Sequence, residues 1–564
     1  MYLPLEDFES TWKELKRQVL SHSTCKIAIF VACLNVDAMC AGKMLGQLLQ
    51  RDLVLHKIIP ITGESSLVGE FRSLDDDITN TILIGCGASF DLEELVGQTH
   101  LEGKTVHIID NHRPWNLENL FGSEKILCYD DGTFEDLAKY RRAWQYLADH
   151  PERNEGSDGG QDDDDEDEIY GYRKHNEEDE RRKHSEVLVD YINQGTYLYS
   201  TITVQVYALL TMLGQTSKRN LWLMIVGLCS VESRFPEIYS SLYPVVRDEI
   251  MRLEGNTQSG TATGQIYVEM DCSLFLLRQW SLFESMLHTS YVSSKFKLWT
   301  EVGRKKLLKM LAQMGVPLQN AYENWLNMPQ SLKSTLRSKL GDISGVYNLT
   351  GIVREGVLRR FGYLGTLSAS DCAQGVAAML EEIDTTNDVW TEKFWDAWSA
   401  IEDFTKLNQG IIRAKELQQT IVLTARAVYE KGQPKNLRSY RLVVIQDGSD
   451  LEALANPLTL MRLGAWILEG CIDSDSLASQ PLVIAAYNEQ REGFLVLGMP
   501  AIKPVDDPAP RKNHFGNVFQ QIAEDINAKI TLDAFDSEVI QVAKDDLPRF
   551  LERLAKEMAD RFDA

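Results

Sequence analysis

The sequence lacks several patterns that would point to common classes of protein. None of its nine cysteines falls in a Cys-x-x-Cys pair, which argues against a zinc knuckle and is typical of buried thiols in a reducing compartment. No apolar run approaches the roughly 20 residues of a membrane helix, and no Gly-x-x-x-x-Gly-Lys run is present to bind a nucleotide phosphate. We therefore expect a soluble, intracellular chain without a cofactor and without nucleotide hydrolysis of its own.

The chain is also short of positive charge. Its 58 Lys and Arg residues stand against 83 Asp and Glu, which gives a net charge of -25. Such a balance argues against a protein that mainly coats duplex DNA, because the phosphates would repel it. With 564 residues, 44% of them apolar, the chain is long enough for two or three domains.

Twelve of the acidic residues lie between positions 158 and 180. Such a cluster repels itself and buries no apolar surface, so it predicts a disordered acidic loop over 151–185. The loop is either a solvated linker or a tether that docks on a basic partner or fends off nucleic acid. Seven of its acids are consecutive, namely Asp162, Asp163, Asp164, Asp165, Glu166, Asp167 and Glu168.

Short, nearly continuous apolar segments before this loop predict a parallel sheet covered on both faces. The predicted strands are 26–32, 55–61, 81–86, 105–110 and 125–129, with a helix at 37–49. They define an α/β domain over 1–150, with a helical remainder at 186–255. Ligands of such sheets bind at the carboxyl ends of the strands, where Asp37 and Asp110 lie. Either acid alone would also suit a cap for the following helix.

Two further regions follow. Apolar residues recur at helical spacing over 256–435, which predicts a helical inter-domain region. Strand and helix patterns alternate again over 436–564 and predict a second, smaller α/β domain.

A basic segment stands out against the acidic background. Residues 295–340 carry nine Lys or Arg and only two Glu. Apolar residues at helical spacing predict that the basic side chains line the exposed face. That face is either merely solvated or a contact for an acidic protein or single-stranded DNA, with Arg304, Lys305, Lys306 and Lys309 as the candidate residues.

Several short motifs occur in order along the chain. They include Val36-Asp37-Ala38, NTILIGCGASFD from position 80, DNHRP from position 110, LWLMIVGL from position 221 and HFGNVF from position 514. On these motifs the first domain resembles the DHH phosphoesterase domain of RecJ-type nucleases, and the whole chain resembles the cell division control protein 45 family. The resemblance implies an α/β fold: an N-terminal parallel-sheet DHH-like domain, a helical inter-domain region and a small DHHA1-like C-terminal domain.

The resemblance also implies a relict of a two-metal site. Active DHH enzymes hold two divalent ions with a carboxylate-rich ligand set. Asp37, Asp110 and His112 retain ligand types, whereas the other matching positions hold residues that bind metal poorly or not at all: Asn35, Gly85, Asn111 and Ser230. This implies an inactive relative with no catalytic or metal-binding residue. Asp37 is expected to cap the following helix, and Asp110 and His112 to satisfy donors at the strand end.

In function, the resemblance implies a nuclear, non-catalytic scaffold subunit of the eukaryotic replicative DNA helicase. Its expected partners are the MCM hexamer, the GINS complex and replication loading factors, with weak binding of single-stranded DNA and no membrane. The alternative is a manganese- or magnesium-dependent exonuclease or phosphodiesterase with an altered ligand set. The C-terminal motif either binds a nucleic acid strand, weakened by its phenylalanine and single glycine, or serves packing only, with Phe515 and Phe519 holding a helix onto the terminal sheet.

Overall fold

The protein is described by a computed structural model. The described residues are 1–20, 26–133, 137–150, 167–255, 264–362, 365–381, 387–448, 450–472, 480–503, 509–528, 530–531 and 535–563. They form two six-stranded sheets and a helical region that carries a smaller sheet of three strands. No helix in these ranges is long and apolar enough to cross a membrane.

The first sheet is parallel, as predicted. Its strand order is β1-β7-β5-β4-β2-β3, and all neighbours run in the same direction. Strands β2 and β4 are buried along their whole length, because helices cover both faces. The strands are β1 (Tyr2–Leu3), β2 (Ile27–Ala32), β3 (His56–Ile61), β4 (Asn80–Ile84), β5 (Thr105–Ile109) and β7 (Ile126–Tyr129); β6 (His112–Arg113) pairs separately with β8 (Tyr197–Leu198).

Two apolar clusters lie on opposite faces of this sheet. One contains buried residues of α1, α2, α8 and α9, and the other contains residues of α3, α4 and α5. The helices of this part are α1 (Phe8–Leu20), α2 (Val36–Arg51), α3 (Glu64–Arg72), α4 (Leu92–Val96), α5 (Gln98–Leu101), α6 (Leu137–Asp149), α7 (Asp167–Asn193), α8 (Ile202–Met212), α9 (Lys218–Val231) and α10 (Pro236–Glu254).

Part of the segment predicted to be a disordered acidic loop is helical instead. Helix α7 (Asp167–Asn193) takes in positions 167–185 of that segment and so includes Asp167 and Glu168. Basic residues that follow the acids permit pairs along the helix, such as Arg182 with Glu186 at 3.0 Å. Buried Tyr191 anchors its end by accepting a hydrogen bond from the Trp115 N–H. Asp162, Asp163, Asp164, Asp165 and Glu166 lie outside the described residues.

The inter-domain region is mainly helical, but it also contains an antiparallel sheet that the prediction missed. The strands β9 (Ile266–Cys272), β10 (Val353–Arg360) and β11 (Thr366–Ser368) form this sheet in the order β11-β10-β9. Several charged residues interrupt β9 and β10, so neither reads as an apolar strand. The helices are α11 (Leu282–His288), α12 (Ser290–Phe296), α13 (Glu301–Gln313), α14 (Leu318–Tyr322), α15 (Gln330–Ser344), α16 (Ala369–Leu380), α17 (Asn387–Ala400) and α18 (Phe404–Glu430).

The C-terminal part is a second α/β unit, as predicted. Its sheet has the order β12-β13-β14-β15-β17-β16. Phe515 and Phe519 lie on helix α20 and are buried in the apolar cluster that this helix forms with the sheet and helix α21, which confirms their predicted packing role. The elements are β12 (Lys435–Asn436), β13 (Arg441–Ile445), β14 (Leu482–Asn488), β15 (Gly493–Met499), β16 (Ile530–Thr531), β17 (Val539–Ala543), α19 (Pro457–Gly470), α20 (Phe515–Ile526) and α21 (Leu547–Asp563).

The first and last parts are joined by backbone hydrogen bonds next to the HFGNVF motif. The N–H groups of Thr196 and Asn513 each donate to the other residue's carbonyl at 2.7 Å. Asn517 Nδ2 donates to the Ile192 carbonyl at 2.9 Å. Gly195 has a φ of +86°, and a Cβ there would lie 2.9 Å from the Asn513 carbonyl oxygen. This joint holds the C-terminal part against the carboxyl edge of the first sheet.

Candidate functional site

The loop after β2 places Asn35, not Asp37, at the start of helix α2. The Asn35 side-chain oxygen accepts hydrogen bonds from the N–H groups of Asp37 at 2.9 Å and Ala38 at 3.1 Å. A capping side chain must precede the helix in order to reach these free donors. Because Asp37 already lies in the first turn, the prediction that it caps α2 is wrong.

The Asp37 carboxylate instead binds the N-terminus of helix α8. One oxygen accepts from the Ile202 N–H at 2.6 Å, and the other accepts from the Thr203 N–H at 3.1 Å and the Thr203 hydroxyl at 2.6 Å. The residue is fully buried. Burial raises the pKa of Asp37, and these hydrogen bonds oppose the rise. Both oxygens are therefore engaged by a helix end, which carries a partial positive charge.

Gly85 follows the neighbouring strand β4 and leaves no room for a side chain. Its φ is +74°, a conformation that favours glycine, and its N–H donates to the Ile109 carbonyl at 3.0 Å. A Cβ there would lie 2.7 Å from the Ala38 Cβ and 3.1 Å from the Ile202 Cδ1. The space that a ligand carboxylate would need is occupied by apolar side chains.

Asp110 follows strand β5 and accepts hydrogen bonds from its own loop and from the loop after β4. One carboxylate oxygen accepts from the Ala88 N–H at 3.0 Å, and the other from His112 Nδ1 at 2.6 Å and the His112 N–H at 3.3 Å. Burial by itself raises the pKa of Asp110, but the charge of His112 and these hydrogen bonds lower it overall. The prediction that Asp110 satisfies donors at the strand end is confirmed.

His112 belongs to a larger cluster of charges that reaches the C-terminal part. Its Nε2 lies 3.6 Å from an Asp536 carboxylate oxygen, and the second Asp536 oxygen lies 3.4 Å from Arg234 Nη1. Arg234 Nη2 also contacts Glu538 at 3.0 Å. Burial lowers the pKa of His112, but Asp110 and Asp536 together raise it to about 10. Both carboxylates therefore favour the protonated form of His112, which has no lone pair for a metal.

Asn111 and Ser230 take part in local hydrogen bonds. Buried Asn111 donates from Nδ2 to the Ser200 carbonyl at 2.8 Å, and its side-chain oxygen finds no partner among the described residues. The Ser230 hydroxyl donates to the Gly227 carbonyl at 2.6 Å within helix α9. Neither side chain reaches the carboxylates of Asp37 or Asp110.

Phe535 adds an apolar contact beside the charge cluster. Its ring stacks on Phe90 with 6.3 Å between centroids, and it packs against both clusters of the first sheet. Sequence reasoning missed Phe535, Asp536, Arg234 and Thr203. No motif marks these residues, and only the fold brings them to the loops that follow β4 and β5.

The arrangement does not fit the two metal ions of a DHH enzyme. Within the described ranges, no group of three or more His, Cys, Asp and Glu side chains is placed to hold a metal ion. Asp37 is bound to a helix end, Asp110 to an imidazolium, and the Gly85 position has no space for a carboxylate. A two-metal clamp needs several free carboxylate oxygens around both ions.

The basic residues of α13 lie apart from this cluster. Arg304, Lys305, Lys306 and Lys309 are exposed, in agreement with the predicted exposed face. The buried side of α13 belongs to a separate apolar cluster of the inter-domain region. Arg304 Nε donates to the Leu298 carbonyl at 3.1 Å. In the described part of the chain no carboxylate forms an ion pair with the three lysines, so their charges face solvent.

Comparison with known proteins decides the family. Residues 27–180 and 171–557 match the family model described as CDC45. The chain belongs to the CDC45 family. Among the relatives, cell division control protein 45 of Saccharomyces cerevisiae is 35% identical, over 98% of this chain and 99% of that protein. The homologue of Schizosaccharomyces pombe is 31% identical over the same shares, and that of Homo sapiens is 28% identical over 94% and 96%.

A solved CDC45 structure has the same fold as this chain. The crystal structure of CDC45 from Entamoeba histolytica matches with a TM-score of 0.71 and 21% identity, and it covers 99% of this chain and all of that one. A crystal structure of exonuclease RecJ bound to manganese matches at a lower TM-score of 0.42 and 12% identity, over 98% and 94% of the two chains. The N-terminal parallel sheet and mixed α/β architecture are thus those of the CDC45 family.

Restoring the missing carboxylate should destabilise the protein. We expect Gly85→Asp to lower the free energy of unfolding by about 3 kcal/mol, because it combines a left-handed backbone with a clash against Ala38 and Ile202. Gly103→Asp is the matched control, since Gly103 has a φ of +75° and no atom within 4 Å of its Cβ position. Gly103→Asp should lower the free energy of unfolding by about 1 kcal/mol. Urea unfolding, followed by tryptophan fluorescence, measures the free energy of unfolding of both variants. An equal loss in the two variants would contradict the conclusion that the Gly85 position has no room for a side chain.

The His112 cluster should make stability depend on pH. The folded-state pKa of His112 lies near 10, above its ordinary value of 6.5. Its stabilisation is therefore fully present below pH 6.5 and is lost as the pH rises towards 10. His112→Asn should remove on the order of 2 kcal/mol at pH 6.5 and little at pH 10. Urea unfolding across this range tests it, with exposed His100→Asn as control; a pH-independent loss would contradict the charged role.

Proposed function

We propose that this chain is a non-catalytic scaffold subunit of the eukaryotic replicative DNA helicase. In this role it acts in the nucleus in DNA replication and binds the MCM hexamer and the GINS complex, with replication loading factors as further partners. Membership of the CDC45 family and similarity to cell division control proteins over nearly the whole chain support the proposal. The observation that carries its non-catalytic part is the closed cluster around Asp37, Gly85 and Asp110.

The chemistry of hydrolysis explains why this cluster matters. A two-metal phosphoesterase must bind both ions, deprotonate a bridging water and stabilise the leaving oxygen. Here the Asp37 oxygens accept three hydrogen bonds, and His112 is held between two carboxylates. Binding a metal would require breaking these contacts inside a buried cluster, where an unpaired charge is costly.

Metal titration distinguishes this proposal from the exonuclease or phosphodiesterase alternative. We expect isothermal titration of Mn²⁺ into the full chain to show no stoichiometric site, because the described residues contain no group of free carboxylates placed to hold a metal ion. Short oligonucleotides should remain intact when incubated with the same protein and Mn²⁺. Two-site binding accompanied by hydrolysis that is lost in Asp110→Asn would overturn the non-catalytic assignment.

The lysines of α13 are the proposed charged contact for a partner. Lys305, Lys306 and Lys309 point away from the core of the inter-domain region, and unpaired exposed charges of this kind attract acidic surfaces. The same face would also suit single-stranded DNA. Weak DNA binding therefore remains a secondary part of the proposal.

Charge reversal separates these two roles. Lys305→Glu with Lys306→Glu should reduce co-purification with MCM and GINS by about tenfold, equivalent to 1.4 kcal/mol. Lys431→Glu with Lys435→Glu is the matched control, since both lysines are exposed, and it should leave recovery unchanged. Anisotropy of labelled single-stranded DNA is measured on the same variants. Loss of DNA binding with intact co-purification would assign the face to DNA, and no change in either would exclude it as a contact.

A further inference from the structure

Strand β9 forms one edge of the inter-domain sheet and pairs with β10 on one side. The Ser273 N–H donates to the Ile352 carbonyl at 2.7 Å, and the Arg360 N–H donates to the Gln265 carbonyl at 3.0 Å. Together with the register of the pair, these bonds assign the odd-numbered residues of β9 to the ladder with β10. The even-numbered residues direct their N–H and C=O groups to the open side.

Both ends of that open side are closed by the chain itself. At one end the Ile266 N–H donates to the Glu254 carboxylate at 3.3 Å. At the other end the Cys272 N–H donates to the Asp271 carboxylate at 2.8 Å, and the Cys272 carbonyl accepts from the Leu274 N–H at 2.8 Å. These bonds prevent the edge from pairing along its full length, as is common for edge strands.

The middle of the edge remains open. In the parts of the chain that the structure describes, the outward N–H and C=O groups of Val268 and Met270 make no hydrogen bond. The Met270 side chain is 48% exposed, and Tyr267, Val268 and Glu269 are half-buried, so the strand is not covered. Two donors and two acceptors in alternation are the pattern that an added strand satisfies.

We propose that this edge, Val268 to Met270, is a docking site for an extended segment of another protein, which adds a fourth strand to the sheet. On one face the segment lies beside the apolar side chains of Val268 and Met270, which selects apolar residues at alternate positions. Glu269 and Asp271 are already paired with Arg337 and Arg278, so it is the net charge of -25 of the whole chain that favours basic over acidic residues at the flanks of the segment. The same charge opposes pairing with a second copy of this chain. The proposal is independent of which proteins the chain assembles with.

The experiment uses the full chain and a displayed library of random twelve-residue peptides as the probe. Selected peptides are expected to carry alternating apolar residues with basic flanks. Their affinity is then measured by fluorescence anisotropy on the wild type and on two edge variants, Val268→Pro and Met270→Pro. Proline removes an outward N–H that the ladder with β10 does not use, and edge positions of this kind tolerate it. Each variant should weaken binding at least tenfold.

Met270→Leu is the matched control, because it keeps both an apolar side chain and the backbone donor, and it should change affinity by less than threefold. Amide hydrogen exchange on the wild type provides a readout that needs no variant: the amides of Val268 and Met270 should exchange rapidly alone and slowly with peptide. Unchanged affinity in both proline variants, or no added protection of these amides, would overturn the proposal. A wild-type dimer in sedimentation that Val268→Pro dissociates would overturn it in favour of a second copy.

Discussion

The structure depends on neutralising two buried carboxylates at the carboxyl edge of the first sheet. Asp37 and Asp110 stand at the ends of strands that flank β4, and both are almost fully buried. An isolated buried carboxylate costs far more free energy than a domain can offset, so each needs donors or a cation beside it. Here the donors come from the chain: a helix N-terminus for Asp37 and an imidazolium for Asp110.

This solution ties distant segments together. The Asp37 carboxylate holds helix α8 against α2, and His112 joins the loop after β5 to Asp536 in the C-terminal part. Arg234, just beyond helix α9, completes the cluster on the other side of Asp536. Removing one member of a buried charge cluster leaves its partner unpaired, which typically costs about 3–5 kcal/mol. The cluster thereby joins the two α/β units, and its cations are side chains of the protein itself.

The fold was readable from the sequence where periodicity was strong. The main apolar strands of both six-stranded sheets and their sequence positions were predictable because strands buried on both faces are almost wholly apolar. The three strands of the inter-domain sheet were not, since their charged residues pair with neighbours that only the fold supplies, such as Asp271 with Arg278. The motifs pointed to Asn35, Gly85 and Asp110. The structure shows that Asn35 caps helix α2 while Asp37 binds the start of helix α8. This could not be predicted, because only the fold brings α8 next to Asp37. Asp536 and Arg234 lie far from any motif, so three-dimensional proximity alone reveals them.

The buried charge cluster determines which surfaces of the chain are accessible to other molecules. Phe535 and Asp536 occupy the approach to the loops after β4 and β5, so a nucleic acid strand would have to displace a buried charge cluster to enter. Binding at the outer surfaces of the inter-domain region does not require any buried charge to be displaced. The lysines of α13 are already solvated, and the open groups of β9 gain hydrogen bonds when a strand is added. A contact at either surface leaves the buried charge cluster intact, whereas a contact in the cleft does not.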